Sequence, residues 1–259
     1  MNRLPTFHYL VEGPEGAPWL TFIPGIGNDA SFWEEQARAL AGRFRVLRFD
    51  PWGHGQSPQP PEGCRFADIL AGIVQLWDEL DIPRSHVVGL GFGGSLALAL
   101  GLEQPRRIGR IAAFCCRPRQ PDDRRDFWRA RCQAARDQGI ARLAEVTVDR
   151  WLRPEFRLAH PEVDERLRRM MKATSLAGYL AYVEAFIEMD FSARFAELAA
   201  PTLLVAAEHD HGGGPVHAMR EMAACNPHTR LAVLEGAGHI VNHEAPQQVQ
   251  RLLDDFFAG

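Results

Sequence analysis

No apolar run in this 259-residue sequence approaches the ~18 residues that a membrane-crossing helix needs, so no membrane partner is expected. The opening residues, MNRLPTFHYLVEG, lack the long apolar stretch and small-residue cleavage site of a secretory leader, and the expected location is the cytoplasm. Excess positive charge is missing too: the formal net charge is -4, which argues against a nucleic-acid partner. The five cysteines, Cys64, Cys115, Cys116, Cys132 and Cys225, are odd in number and show no C-x-x-C spacing. That usage fits reduced thiols, not a disulfide framework or a zinc site. Neither an internal repeat nor a low-complexity tract interrupts the chain.

What is present is an ordinary globular composition, 46% hydrophobic and 24% charged, in a chain long enough for one large α/β domain with an insertion. Apolar runs WLTFIPG, FRVLRFD, HVVGLG, IGRIAAFCC, APTLLVAAE and RLAVLEG alternate with amphipathic stretches, the pattern of a mostly parallel sheet with helices on both faces. The rhythm breaks between about 117 and 198, where apolar residues recur at three- and four-residue spacing throughout. This segment is expected to be an inserted helical cap, with 1–116 and 199–259 forming the core. Its arginines alternate with acids and alanines, as on a solvated helix face, although some could meet an anionic substrate.

The stretch VVGLGFGGS supports two readings. Gly89, Gly91 and Gly94 spell G-x-G-x-x-G, a dinucleotide-binding fingerprint. That motif should follow the first strand of its unit and be answered about 20 residues later by an acid on the second strand. Here at least two strands precede it, and the following one ends in Cys115-Cys116. The other reading is a strand, a tight turn and a helix in which Gly91 stands at the serine of G-x-S-x-G, the nucleophile elbow. The remaining parts follow in the order that architecture uses: TLLVAAEHD ends at Asp210, and the loop after RLAVLEG carries His239. Upstream, Pro24-Gly25-Ile26-Gly27 follows WLTFI, and the N–H groups of Ile26 and Phe92 are the expected oxyanion donors.

FIPGIGNDASFW, RFDPWGHGQS, VVGLGFGGSLAL, DRWLRPEFR, GYLAYVEAFIEMDF, APTLLVAAEHD and GAGHIVNHEAP together resemble the α/β-hydrolase superfamily, and within it 3-oxoadipate enol-lactonases. The resemblance spans nearly the whole chain. It implies a cofactor-free enzyme that hydrolyses a small lactone or ester of the aromatic-catabolism type, with a homodimer left open. The sequence departs from that pattern at Gly91, at Pro24 where many relatives carry histidine, and at Trp52 where arginine is usual. The last two are expected to alter pocket shape.

Native or introduced, glycine at 91 supplies no oxygen, so an acyl-enzyme at this position is excluded. Three readings remain: a hydrolase with its serine replaced; a non-hydrolytic enzyme (lyase, isomerase, decarboxylase or oxygenase) using His239 as general base and Asp210 as orienter; and a ligand-binding pseudoenzyme. Ser95 is expected to bond a helix carbonyl instead of serving as nucleophile. His209, Asp210, His211, His239 and His243 invite a metal reading, set aside because Asp210 already orients His239. Asp50 and His54 are assigned to loop structure. Gly25, Trp33, Trp128, Trp151, Tyr179 and Phe186 are the candidate substrate-binding wall, joined by Phe92, and Gly212-Gly213-Gly214 reads as a flexible loop beside the site.

Overall fold

The computed structural model describes residues 3–258; residues 1, 2 and 259, the outer limits expected for the core, lie outside them. In chain order the elements are β1 (Tyr9–Glu12), β2 (Trp19–Ile23), α1 (Glu34–Leu40), β3 (Arg45–Phe49), α2 (Phe66–Glu79), β4 (Ser85–Leu90), α3 (Phe92–Glu103) and β5 (Ile108–Phe114). Then follow α4 (Asp122–Trp151), α5 (Pro154–Ala159), α6 (Pro161–Lys172), α7 (Leu176–Glu188), β6 (Thr202–Ala207), α8 (Val216–Ala224), β7 (Thr229–Leu234), α9 (Val241–Glu244) and α10 (Pro246–Ala258). Strands β2 to β7 are the six apolar runs. They read continuously because helices cover both faces: α2, α3 and α8 bury Ile73, Leu98 and Met219 on one side, and α1 and α10 bury Leu40 and Leu253 on the other.

The sheet order is β1-β3-β2-β4-β5-β6-β7, with β1 antiparallel to β3 and every other pair parallel. From β2 the chain moves outward to β3, then crosses back to lay β4 on the opposite flank of β2. At such a reversal the two following loops leave in opposite directions and open a crevice at the strands' carboxyl ends. Ile23 pairs with Gly89, so the turns after β2 and β4 begin side by side.

Helices α4 to α7 are inserted between β5 and β6, and α7 packs on α2. The expected unbroken helicity fails at Gly139 (φ 80°, ψ 161°), which bends α4 into two arms and lets both face the crevice.

Burial of histidine sets an acid limit on this fold. Burial lowers His54 and His243 from an ordinary 6.5 to about 4; the Trp52 carbonyl partly opposes it at His54, while Arg166 reinforces it at His243. His86, less buried, is also lowered to about 4 by burial and by Arg110 and Arg84. Between these values the unfolded chain binds protons that the folded one refuses. The stabilisation is therefore complete above pH 6.5 and is lost as pH falls toward 4. At about 1.4 kcal/mol per unit, His54 and His243 each contribute up to roughly 3 kcal/mol, and His86 less because water screens it. Thermal unfolding followed from pH 8 to 4.5 should show a melting temperature that holds to about 6.5 and then drops; a flat profile would contradict this assignment.

Candidate active site

Gly91 sits between β4 and α3 with φ 59° and ψ -121°, a backbone that side chains rarely adopt. Its N–H donates to the Phe114 carbonyl at 2.9 Å. The neighbouring glycines serve the same turn. A Cβ on Gly89 would stand 2.2 Å from the Gly93 carbonyl oxygen, and one on Gly93 would stand 2.3 Å from that of Ile23. Together with Gly94, whose added Cβ would stand 2.9 Å from Cys116 Cβ, these glycines let strand, turn and helix pack without side chains between them, a packing reason for the G-x-G-x-x-G spelling. Ser95 is fully buried, its hydroxyl donating to the carbonyl of Arg117 at 2.7 Å and lying 3.3 Å from that of Gly91.

A Cβ built on Gly91 would lie 3.3 Å from His239 Nε2. On the far side of the imidazole, Nδ1 lies 3.1 Å from Asp210 Oδ2. The structure thus brings Gly91, His239 and Asp210 into one line. Asp210 is buried, and its carboxylate accepts from the N–H groups of Gly212 (2.9 Å), Gly213 (2.8 Å) and Gly214 (2.8 Å). Burial alone would raise this carboxyl. The close approach of the His239 imidazole and the N–H groups of Gly213 and Gly214 outweigh it and hold Asp210 well below the usual carboxylate range.

The triple glycine is therefore a cradle for Asp210 and not the flexible loop its composition suggests. Arg117 donates to the Gly213 carbonyl at 2.5 Å and Arg124 to that of Gly212 at 2.9 Å, which pins the loop further. Close approach is what demands glycine here: a Cβ on Gly213 would meet His239 Cε1 at 2.2 Å.

Two more groups fix the site from behind. Glu244 Oε2 accepts from the Gly238 N–H at 2.9 Å and from Arg153 Nε at 2.8 Å, while Oε1 accepts from the Arg153 N–H at 2.8 Å. It joins the His239 loop to the inserted helices. His54, held neutral by burial, donates from Nδ1 to the Trp52 carbonyl at 2.9 Å and accepts at Nε2 from the Gly27 N–H at 3.0 Å. Asp50 accepts from the N–H groups of Ala30 (2.7 Å) and Gln56 (2.8 Å), so both residues have the structural roles their loop suggested. Trp52 does not shape the pocket as expected: its ring is fully buried, stacks on Phe7 at 4.6 Å and donates to the Pro5 carbonyl at 2.8 Å.

A cavity of about 280 Å³ lies between this line and the inserted helices. Gly25, Ile26, Gly91, Phe92, His239 and Asp210 form its floor, and Trp128, Trp151 and Phe186 line it from the inserted helices. Trp33 and Tyr179 do not line it. Trp33 is buried on the α1 face of the sheet against Phe22 at 5.3 Å, its indole N–H donating to the Ile23 carbonyl at 3.2 Å; Tyr179 is buried in the packing of α7. Aromatic identity does not reveal which side of a sheet a ring will take.

The sequence reading missed Asn28, Thr147 and Arg150 and did not single out Arg124 and Arg131 among the arginines of this segment; all five border the cavity. A signal was there: Arg124, Trp128 and Arg131 are spaced four and three apart, one face of a helix. The five residues of the metal reading do not assemble. Among the described residues the close group is Cys115, Asp210 and His239, with donor atoms within 4.8 Å of one another; His243 packs edge-on to Phe32 at 5.3 Å. Burial, then the Asp210 charge, pushes the Cys115 thiol well up, so it stays protonated and is no substitute nucleophile.

The chain is 29% identical to 3-oxoadipate enol-lactonase 2 of Acinetobacter baylyi over 243 residues, covering 93% of this chain and 88% of that protein. It is 27% identical to 3-oxoadipate enol-lactonase 1 of the same organism, covering 97% and 92%. The crystal structure of the enol-lactonase from Burkholderia xenovorans LB400 superposes with a TM-score of 0.93 at 29% identity, covering 98% of this chain and 96% of that one. Residues 18–246 match the sequence profile of the alpha/beta hydrolase fold. With the strand order, the turn at Gly91 and the loops carrying Asp210 and His239, that match means the chain belongs to the α/β-hydrolase-fold family.

Proposed function

We propose that this protein hydrolyses the C–O bond of a small carboxylic ester or lactone with water, not a side chain, as the nucleophile. The observation that carries this reading is the line Asp210–His239–Gly91, with the imidazole Nε2 3.3 Å from where a residue-91 side chain would begin. His239 Nε2 takes a proton from water as its oxygen attacks the acyl carbon. The oxyanion forms against the N–H groups of Ile26 and Phe92. On collapse the C–O bond breaks, the leaving oxygen takes the proton back, and an acid and an alcohol (or, from an enol-lactone, the keto acid) depart. Asp210 keeps the Nδ1 proton in place and stabilises the imidazolium formed in between. The helical segment 117–198 covers the reacting atoms. The enol-lactonase likeness at 27% to 29% identity favours a lactone as the ester.

A second reading uses the same base on a substrate C–H or O–H, giving an isomerised, decarboxylated or oxygenated product. It is favoured by the same glycine, which leaves Nε2 facing the cavity without a hydroxyl to serve. A pure binder has no use for the three N–H groups spent on Asp210. Product analysis with 3-oxoadipate enol-lactone and an aryl acetate separates them: ring opening or ester cleavage to the free acid is expected. An isomeric, decarboxylated or oxygenated product would establish the second reading, and unchanged substrate a binder.

A further inference from the structure

Three guanidinium groups meet beneath the inserted helices, none of them in an ion pair among the described residues. Arg124 and Arg131 come from the first arm of α4 and Arg150 from the second, and all three border the cavity that holds His239. Their carbon centres lie 4.7, 5.7 and 4.3 Å from the ring of Phe127. Among the described residues none of the three has an acidic oxygen within 4.0 Å. Their protein acceptors are the Gly212 carbonyl for Arg124 and the Thr147 hydroxyl for Arg131. Arg131 is only 8% exposed, and its Nε has no partner.

Such clustering of like charges is unfavourable in itself. Burial lowers Arg150, and the charges of Arg131 and Arg124 lower it further. Elsewhere on α4 the arginines behave as an ordinary solvated face: Arg129 pairs with Asp126 at 2.8 Å and Arg136 with Glu184 at 3.0 Å. The inward three differ in position and in having no carboxylate in contact among the described residues. Asp210 borders the same cavity and its charge partly offsets that of Arg150, but a single carboxylate already engaged by its glycine cradle and His239 leaves three guanidiniums with a positive surplus. Forked N–H donors of this kind match planar or tetrahedral oxyanions, and a charge surplus of this size is balanced by more than one negative charge.

We propose that Arg124, Arg131 and Arg150 form a subsite for a doubly negative group on the ligand, either a phosphate monoester or a pair of carboxylates. The Gly139 bend in α4 serves this subsite by turning Arg150 back toward Arg124 and Arg131. The subsite rests on the hydrolytic reading only in sharing its cavity, and direct binding tests it without any turnover.

Isothermal titration of the intact protein at pH 8, at constant ionic strength, with inorganic phosphate, malonate and acetate provides that test. Phosphate or malonate is expected to bind saturably at one site, at least about tenfold tighter than acetate, and Arg150→Gln and Arg124→Gln should each weaken binding by roughly tenfold or more. Arg129→Gln, on the outer face, should leave it unchanged. Binding of phosphate alone identifies a phosphate monoester, of malonate alone a dicarboxylate; binding of both retains the dianion common to each. The proposal is overturned if neither binds, if acetate binds as tightly, or if both cavity variants bind like the parent. Those outcomes leave the hydrolytic reading standing, just as loss of hydrolysis with binding intact would leave the subsite standing.

Discussion

Gly91→Ser is expected to raise kcat/KM for aryl esters by about 10³-fold while making the protein less stable. The rest of the constellation is in place: Nε2 is 3.3 Å from the new Cβ, and Asp210 lies 3.1 Å behind the imidazole. Removing the nucleophile from a complete triad costs up to about 10⁶ in kcat, and a serine placed in a scaffold not selected for it should regain part of that. A burst of alcohol equal to the protein concentration, with a matching acyl mass increment, should accompany the gain. The stability cost follows from φ 59° at this residue, a conformation worth about 1–3 kcal/mol of strain for any residue with a Cβ. In a chain of this size that corresponds to several degrees in melting temperature, at roughly 2–4 °C per kcal/mol. Gly91→Ala separates the two effects, because it carries the strain without the oxygen: it should melt as early as the serine variant and show no burst. A serine variant with no gain on either enol-lactones or aryl esters would remove the support for reading Gly91 as a nucleophile position.

His239→Gln is expected to lower kcat by about 10²- to 10⁴-fold, the usual contribution of a general base, with little change in melting temperature. Stability should hold because Asp210 retains its three N–H donors when the imidazole is gone. Unchanged turnover in a folded His239→Gln protein would mean that the reaction does not use this base.

Much of the fold was legible because doubly covered parallel strands leave an unmistakable trace, unbroken apolar runs such as Thr202–Ala207, which is buried along its whole length. Strand β1 left none. It is a four-residue antiparallel edge with Tyr9 39% and Leu10 40% exposed, and it pairs with β3 by backbone bonds that any short polar–apolar sequence could make. At the site, Gly91, Asp210 and His239 were legible because chain order along an α/β sheet fixes which loops converge. The Asp210 cradle was not, since three consecutive glycines signal freedom of the backbone, and only the placement of His239 against Gly213 shows that the need is for room. The cavity arginines were hidden differently. Their charge pattern was visible, but the same helix carries both inward and outward guanidiniums, and only the Gly139 bend decides that Arg150 joins the inward set.

The most direct test of water activation by His239 is hydrolysis of the lactone or ester in H₂¹⁸O, followed by mass spectrometry of the acid. One solvent oxygen should enter the new carboxyl group at a rate that His239→Gln cuts by at least about 10²-fold. Product free of the label, or label entering equally fast in His239→Gln, would contradict it.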